Sequence, residues 1–300
     1  MKIVPLQEKH LPIVRTWLNR LPYEYGWDDR SIYVRTLGNE MYQPELMPVA
    51  EERGEPLGFL LGYEREGKGW ITALIVRADR QRQGIGTRLV QAVEAQFVRD
   101  GISNVTVGWC PLVFFTPGWD VRYTGAVAFM EKNHYRTERR CRVNLWVELA
   151  GRDFGTAAEE QRLREQGIIV RRATVEDREK VWELALSSSE GWAIESARSY
   201  DNDPISLFVA EKDGRLINFA CYGTGGPMYF GPLLTLPEFR GQGIAAVTTR
   251  MCMADMQRLG WQRIEINWAG PIGFYARSVG ATIGRVFWSW EKELELTPPT

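Results

Sequence analysis

The chain has 300 residues, 44% of them hydrophobic and 25% charged, with a formal net charge of −1. That composition is globular and its length suits two domains of roughly 100 to 200 residues each. The near-neutral balance argues against the large basic excess of a nucleic-acid binder. No apolar stretch approaches the roughly 18 residues of a membrane span, and Met1-Lys2-Ile3-Val4-Pro5 lacks a secretory apolar core, so a cytoplasmic protein with no membrane partner is expected.

In chain order, Ile3-Val4-Pro5-Leu6 reads as a short strand, and His10 to Val14 opens a helix. Glu55 to Leu61 and Trp70 to Val76 are strand signals, followed by Gln81-Arg82-Gln83-Gly84-Ile85-Gly86 and by helical spacing from Ile85 to Phe97. After Val105-Thr106-Val107 comes Gly108 to Thr124, a long loop carrying Trp109, Phe114, Phe115, Trp119 and Tyr123. Such a loop is either a binding element or a plug docked on the other half. Ala157 to Gln166, inside Gly151 to Gly167, favours a short exposed helix. It divides the chain into domain 1–150, linker helix 151–166, domain 167–296 and a loose tail 297–300.

The second half repeats the order. Ile169 to Arg172 is a strand, and Thr174 with Asp177 makes a near capping box before the spacing of Val181, Leu184 and Ala185. Leu207 to Glu211 and Leu216 to Tyr222 flank the Lys212-Asp213-Gly214 turn. Met228 to Leu236 leads to Arg240-Gly241-Gln242-Gly243-Ile244-Ala245 and a helix to Leu259. The first N–H groups of a helix lack partners at the positive end of its dipole, so backbone alone can hold a phosphate there. Small residues keep side chains away, while Gln81 or Arg240 can add a donor. Leu89 and Ala246 stand where a dinucleotide fingerprint needs its third glycine, and neither copy ends in the Gly-Lys-Ser/Thr of a Walker loop.

The pattern Gln/Arg-x-x-Gly-x-Gly/Ala after a strand resembles the acyl-coenzyme A pyrophosphate loop of the Gcn5-related N-acetyltransferase (GNAT) superfamily. The resemblance covers nearly the whole chain in two halves, in the arrangement of mycothiol synthase-like tandem transferases. It implies an α+β fold of two tandem acyl-CoA N-acyltransferase domains, each a mixed, mostly antiparallel sheet flanked by helices. It also implies acetyl-CoA as acyl donor. Its pantetheine arm would pair along Leu74 to Val76 and Leu233, Leu234 and Thr235. Its pyrophosphate would lie on Gln81, Arg82, Gln83, Gly84, Ile85 and Gly86, and on Arg240, Gly241, Gln242, Gly243, Ile244 and Ala245.

Acetyl transfer needs a neutral amine, a polarised thioester carbonyl and an acid for the departing thiolate. The resemblance places that acid, a tyrosine, at Tyr275; the alternative is a core aromatic beside Phe274. The first half has Met130 there, which cannot donate a proton, with His134 at the family's glycine position and Tyr135 at its phenylalanine position. That half would then bind a coenzyme or shape the substrate site without catalysing transfer. The family's usual glutamate before the loop is missing, since Thr72 and Ala73, or Phe230, Gly231 and Pro232, stand there. Glu265, alternating with Ile264 and Ile266, is either a base acting through water or part of a solvated strand face. Asp120 and Glu190 offer carboxylates to an ammonium group, and Trp192 and Trp268 offer aromatic faces to a substrate.

Cys110, Cys141, Cys221 and Cys252 form no Cys-x-x-Cys pair and read as reduced core or near-core thiols. His10 and His134 are too few for a metal site, and His10 reads as a surface residue at a helix start. Two functions follow. One is an acetyl-CoA-dependent N-acetyltransferase acting by direct attack of a small primary amine, such as an amino sugar or aminoglycoside-like substrate, in a monomer or homodimer. The other is a catalytically degenerate tandem module that binds or senses acyl-CoA.

Overall fold

The computed structural model describes residues 1–23, 26–113 and 115–296, so Phe114 and the tail 297–300 lie outside the described residues. The chain forms two compact units, Met1–Arg142 with Val286–Thr300, and Val143–Arg285. Each has a mixed, mostly antiparallel sheet flanked by helices. No helix among the described residues is long and apolar enough to cross a membrane.

Unit 1 runs β1 (Lys2–Pro5), α1 (Leu11–Asn19), α2 (Asp29–Tyr33), β2 (Pro48–Glu52), β3 (Glu55–Arg65), β4 (Lys68–Val76), α3 (Ile85–Arg99), β5 (Asn104–Val107), β6 (Trp119–Asp120) and α4 (Thr124–Lys132). Arg53-Gly54 and Glu66-Gly67 close its hairpins with positive φ at both positions, the turn whose twist matches the strands. Ile85, Leu89, Val90, Val93 and Phe97 line the buried face of α3 at helical spacing. Each such side chain contributes about 1.5–3 kcal/mol when removed from water. His10 is buried, not superficial: Gln7 N–H donates to its Nδ1 at 3.0 Å, so the proton sits on Nε2, which donates to Glu51 Oε1 at 2.9 Å.

Unit 2 runs β7 (Arg142–Glu148), whose first residue closes the unit 1 stretch, then α5 (Ala157–Glu165), β8 (Ile168–Arg172), α6 (Arg178–Leu186), α7 (Glu190–Ala197), β9 (Leu207–Lys212), β10 (Arg215–Tyr222), β11 (Tyr229–Thr235), α8 (Ile244–Arg258), β12 (Arg263–Ile266), α9 (Ile272–Val279) and β13 (Thr282–Trp288), whose residues from Val286 onward return to unit 1. The capping box forms: Asp177 accepts from Thr174 N–H at 2.8 Å, and Arg171 grips its carboxylate at 2.6 and 2.9 Å. Asp213-Gly214 makes the hairpin turn. Helix α5 buries Leu163 beside Ile168, Ile217 and Val247, and Arg250 holds its Glu159 at 2.7 Å. Leu163 thus joins the unit 2 core while most of the helix stays exposed.

The two units interleave along the chain. The last strand, β14 (Trp290–Glu293), pairs with β5 of unit 1, Trp290 opposite Val107 and Glu293 opposite Asn104, and buries Trp290 in that core. β7 pairs with β12 of unit 2, Val147 opposite Ile264. Among the cysteines, Cys110, Cys221 and Cys252 are buried free thiols, whereas Cys141 is exposed.

Candidate functional site

Both loops have the same backbone. Gly84 and Gly243 cap α3 and α8 with φ of 81° and 87°, and Arg82 and Gly241 before them have φ of 58° and 80°. Only glycine adopts this left-handed region without cost. The first motif residue braces its strand: Gln81 Nε2 donates to Val76 O at 3.1 Å, and Arg240 Nε to Thr235 O at 3.1 Å. Above Gly84 the space is open, whereas Arg162 of α5 brings its guanidinium to 2.9 Å from where a Gly243 Cβ would stand. The unit 2 loop therefore carries a cation that lies outside the motif. In unit 1, Gly86, the counterpart of Ala245, lies under Phe129, 3.2 Å from where its Cβ would stand.

The strand before each loop separates from its parallel neighbour at a bulge. β4 pairs with β5 only as far as Ile71 opposite Val107, and the β3 register skips Thr72. β11 pairs with β12 only as far as Phe230 opposite Ile266, and Gly231 and Pro232 face Cys221 alone. From there to Thr235 one edge of β11 has no strand partner among the described residues, while β10 stays paired on the other through Leu233, Leu234 and Thr235. An extended amide-bearing chain can add to such an edge. The throat of unit 1 is different. Trp119, held on β6 opposite Trp288, donates its indole N–H to Thr72 O at 3.4 Å and packs with Trp288 and Phe129 on the core around Leu74 and Val76.

Tyr275 lies on α9 against Phe274 and Phe230, with ring centroids 4.9 and 6.1 Å away, next to the bulge. Burial pushes its hydroxyl pKa up, and the nearby Cys252 adds to this, so it stays protonated at neutral pH as an acid must. Glu265 is not on a solvated face. It is fully buried, bonded to Asn144 Nδ2, 3.3 Å from Trp146 Nε1 and 3.6 Å from Arg285 Nη1. Trp146 reaches it because Gly284 has no Cβ to block the indole.

The acetyltransferase (GNAT) family model matches residues 12–110 and 170–281. The chain belongs to the GNAT acetyltransferase family. Two matched stretches make it a tandem GNAT protein, and the family uses acetyl-CoA as acyl donor. Similar folds occur in a glucosamine N-acetyltransferase region of a fungal multi-domain GH3 β-N-acetylglucosaminidase (TM-score 0.74, 18% identity, covering 97% of this chain and 38% of that one). They occur also in a tandem GNAT protein from the clavulanic acid biosynthesis pathway (TM-score 0.70, 16% identity, 100% and 99% covered). A third is a GCN5-related N-acetyltransferase from Sphaerobacter thermophilus (TM-score 0.67, 16% identity, 97% and 95% covered). The chain thus spans 38% of the fungal chain's length. A search of curated proteins gives no match.

Within this tandem GNAT fold the remaining residues fall apart in space and role. Met130 is fully buried in the unit 1 core, and His134 takes the left-handed position after α4 (φ 63°) that Gly280 takes after α9 (φ 58°). Tyr135 donates to Glu94 Oε1 at 2.8 Å, which Lys292 also holds at 2.8 Å, so its hydroxyl is committed to the fold. Asp120 is buried in unit 1 with both oxygens on Arg122, at 2.8 and 2.6 Å. Glu190 is exposed on the first turn of α7, and Trp192 packs on the core under α6 and α7. Trp268 has φ 52° and donates its N–H to Asn144 Oδ1 at 2.9 Å, beside the Glu265 network.

Sequence reasoning passed over Glu195. It follows Ala193 and precedes Ser196, both buried where α7 meets the sheet, and its Oε1 lies 3.3 Å from Thr224 Oγ1. The small residues at helical spacing were the available signal.

Proposed function

We propose that this tandem GNAT protein transfers an acetyl group from acetyl-CoA to a primary amine of a small molecule, and that unit 2 carries the reaction. The observation behind this is the open edge of β11, from Gly231 to Thr235, which runs to the Arg240–Ala245 loop with Tyr275 beside the bulge. In this reading the edge takes the pantetheine amides and Gly241, Gly243 and the first N–H groups of α8 take the pyrophosphate. Arg162 and Arg240 supply charge around it. The amine attacks the thioester carbon, the C–S bond breaks, and Tyr275 protonates the thiolate. Glu265, held by Asn144, Trp146 and Arg285, anchors β12 next to β11.

Unit 1 is assigned a shaping role, because Trp119 stands where a coenzyme arm would enter and Met130 replaces the acid. An amino sugar or aminoglycoside-like amine leads the acceptor panel, in keeping with the glucosamine named for the fungal region, although 18% identity speaks to fold alone. Calorimetric titration with acetyl-CoA, then thiol release across amines, tests the reading. Tyr275→Phe should keep coenzyme binding and lose turnover by about 10²- to 10⁴-fold. Binding without release for any amine would point instead to an acyl-CoA sensor.

A further inference from the structure

A cleft of about 440 Å³ opens in unit 2 between the loop that enters α5, the edge strands β8 and β9, and the last turns of α8. That volume lies in the range of small-molecule sites. Its α8 wall centres on Ala254, about three turns past Gly243 and roughly 16 Å along the helix, so the cleft is separate from the coenzyme loop. Two arginine–phenylalanine stacks line it. Arg152 lies over Phe154, 5.2 Å from the ring centroid, and Arg172 over Phe208 at 4.6 Å, with both rings buried. The walls are tied together, since Gln257 Nε2 donates to Leu149 O and Arg152 O at 2.5 and 3.0 Å, and Arg250 holds Gly155 O and Glu159.

The charges on these walls balance. Arg172 and Arg258 both bind the buried carboxylate of Asp255, which also accepts from the Tyr222 hydroxyl at 2.9 Å, so one positive charge remains there. Arg152 adds a second: its Nη1 donates to Val279 O at 2.6 Å, and no carboxylate pairs with it among the described residues. Against them stand Asp153, with Oδ1 on Gly155 N–H at 2.7 Å, and Glu160, with Oε1 on the Thr156 hydroxyl at 2.5 Å. The two acids repel a simple anion and the arginines repel a simple cation, whereas a zwitterion satisfies both. Phe154, Phe208 and Met251 leave apolar surface for a side chain. We propose that this cleft binds a free α-amino acid with an apolar side chain, its carboxylate on Arg152 and its ammonium on Glu160, the less exposed of the two acids. The site stands apart from the acetyl-transfer reading. Arg152 also caps α9: its guanidinium lies where a Gly280 Cβ would come within 2.8 Å of Nη2, and the next amide, Ala281 N–H, donates to Tyr275 O at 3.3 Å. A carboxylate drawn to Arg152 competes with Val279 O and so reaches the cap that ends the Tyr275 helix.

The test is calorimetry with L-phenylalanine as probe, beside 3-phenylpropionate, which lacks the ammonium, and 2-phenylethylamine, which lacks the carboxylate. L-Phenylalanine should bind once per chain with a Kd in the millimolar range or tighter, and each truncated analogue at least about 10-fold more weakly. Arg152→Gln and Glu160→Gln should each weaken L-phenylalanine by about 10-fold or more, whereas Arg178→Gln on α6, outside the cleft, should not. Because the analogues are compared on wild type, a variant that fails to fold leaves the charge test intact. Saturating L-phenylalanine should keep the acetyl-CoA Kd within about twofold, as distant sites do, and speed hydrogen exchange at the Gly280 and Ala281 amides. Absence of binding, analogues that bind as tightly, unchanged affinity in Arg152→Gln, or competition with acetyl-CoA would each overturn the site. Exchange unmoved by saturating ligand would overturn its link to α9. Failure of acetyl-CoA itself to bind would count against the acetyl-transfer reading and leave the L-phenylalanine titrations as they stand.

Discussion

Gly84→Ala and Gly243→Ala are matched perturbations of the two loops. Both glycines cap a helix with nearly equal φ, 81° and 87°, so an added methyl carries the same backbone cost, about 1–2 kcal/mol. Steric terms add little. Nothing lies within 4 Å of the Gly84 Cβ position, and at Gly243 the neighbour at 2.9 Å is the flexible end of Arg162. Urea unfolding should therefore show losses equal to within about 0.5 kcal/mol. Coenzyme binding should separate them. At Gly243 the methyl stands on the surface offered to the pyrophosphate and displaces the Arg162 guanidinium. Losing one charge-assisted hydrogen bond, about 1.5–3 kcal/mol, weakens acetyl-CoA about 10- to 150-fold by calorimetry at fixed salt. Gly84→Ala should leave that Kd unchanged. Equal weakening by both, or none by Gly243→Ala, would refute the assignment of the coenzyme to the unit 2 loop.

Trp119→Ala should empty the throat beside Thr72, and calorimetric stoichiometry for acetyl-CoA should rise above one per chain; a wild-type value already near two contradicts the blocking role of Trp119. Asp177 is held at about 2, below its ordinary 3.8, by the Arg171 hydrogen bonds first, with Thr174 N–H assisting against burial. Because the folded value is the lower one, this stabilisation is present above about pH 4 and disappears as pH falls toward 2, about 2 kcal/mol in all. Urea midpoints of Asp177→Asn against wild type should show that part of the acid dependence missing. His10→Ala should cost about 2–3 kcal/mol in chemical denaturation, since it removes a donor to the buried Glu51 carboxylate while Lys9 at 3.3 Å stays to compensate.

Local chemistry was readable from the sequence wherever its partners were close by. The glycine loops, the Asp213-Gly214 turn and the Thr174–Asp177 box each need only a few consecutive residues, and each appears as expected. Glu265 was ambiguous because alternation on β12 does not say what covers either face, and its partners Asn144 and Trp146 come from a strand some 120 positions earlier. His10 misled for the same reason: Glu51, 41 residues away, turns a helix-start histidine into a buried donor. Trp119 belonged to a loop visibly rich in aromatics, but only the sheet shows that its indole meets the Thr72 carbonyl.

The exchange of β14 and β7 sets the order in which the molecule can be completed during synthesis. Unit 1 has most of its residues by position 142, yet its β5 edge and the buried Trp290 wait for residues 290–293. Until they emerge, the first half holds an unsatisfied sheet edge, a template for pairing with other nascent chains. Contacts this far apart in sequence make folding slow, and a chain cut near residue 150 would leave each piece short of a strand supplied by the other. Co-expression of the two pieces, rather than either alone, is then the condition under which both units should form.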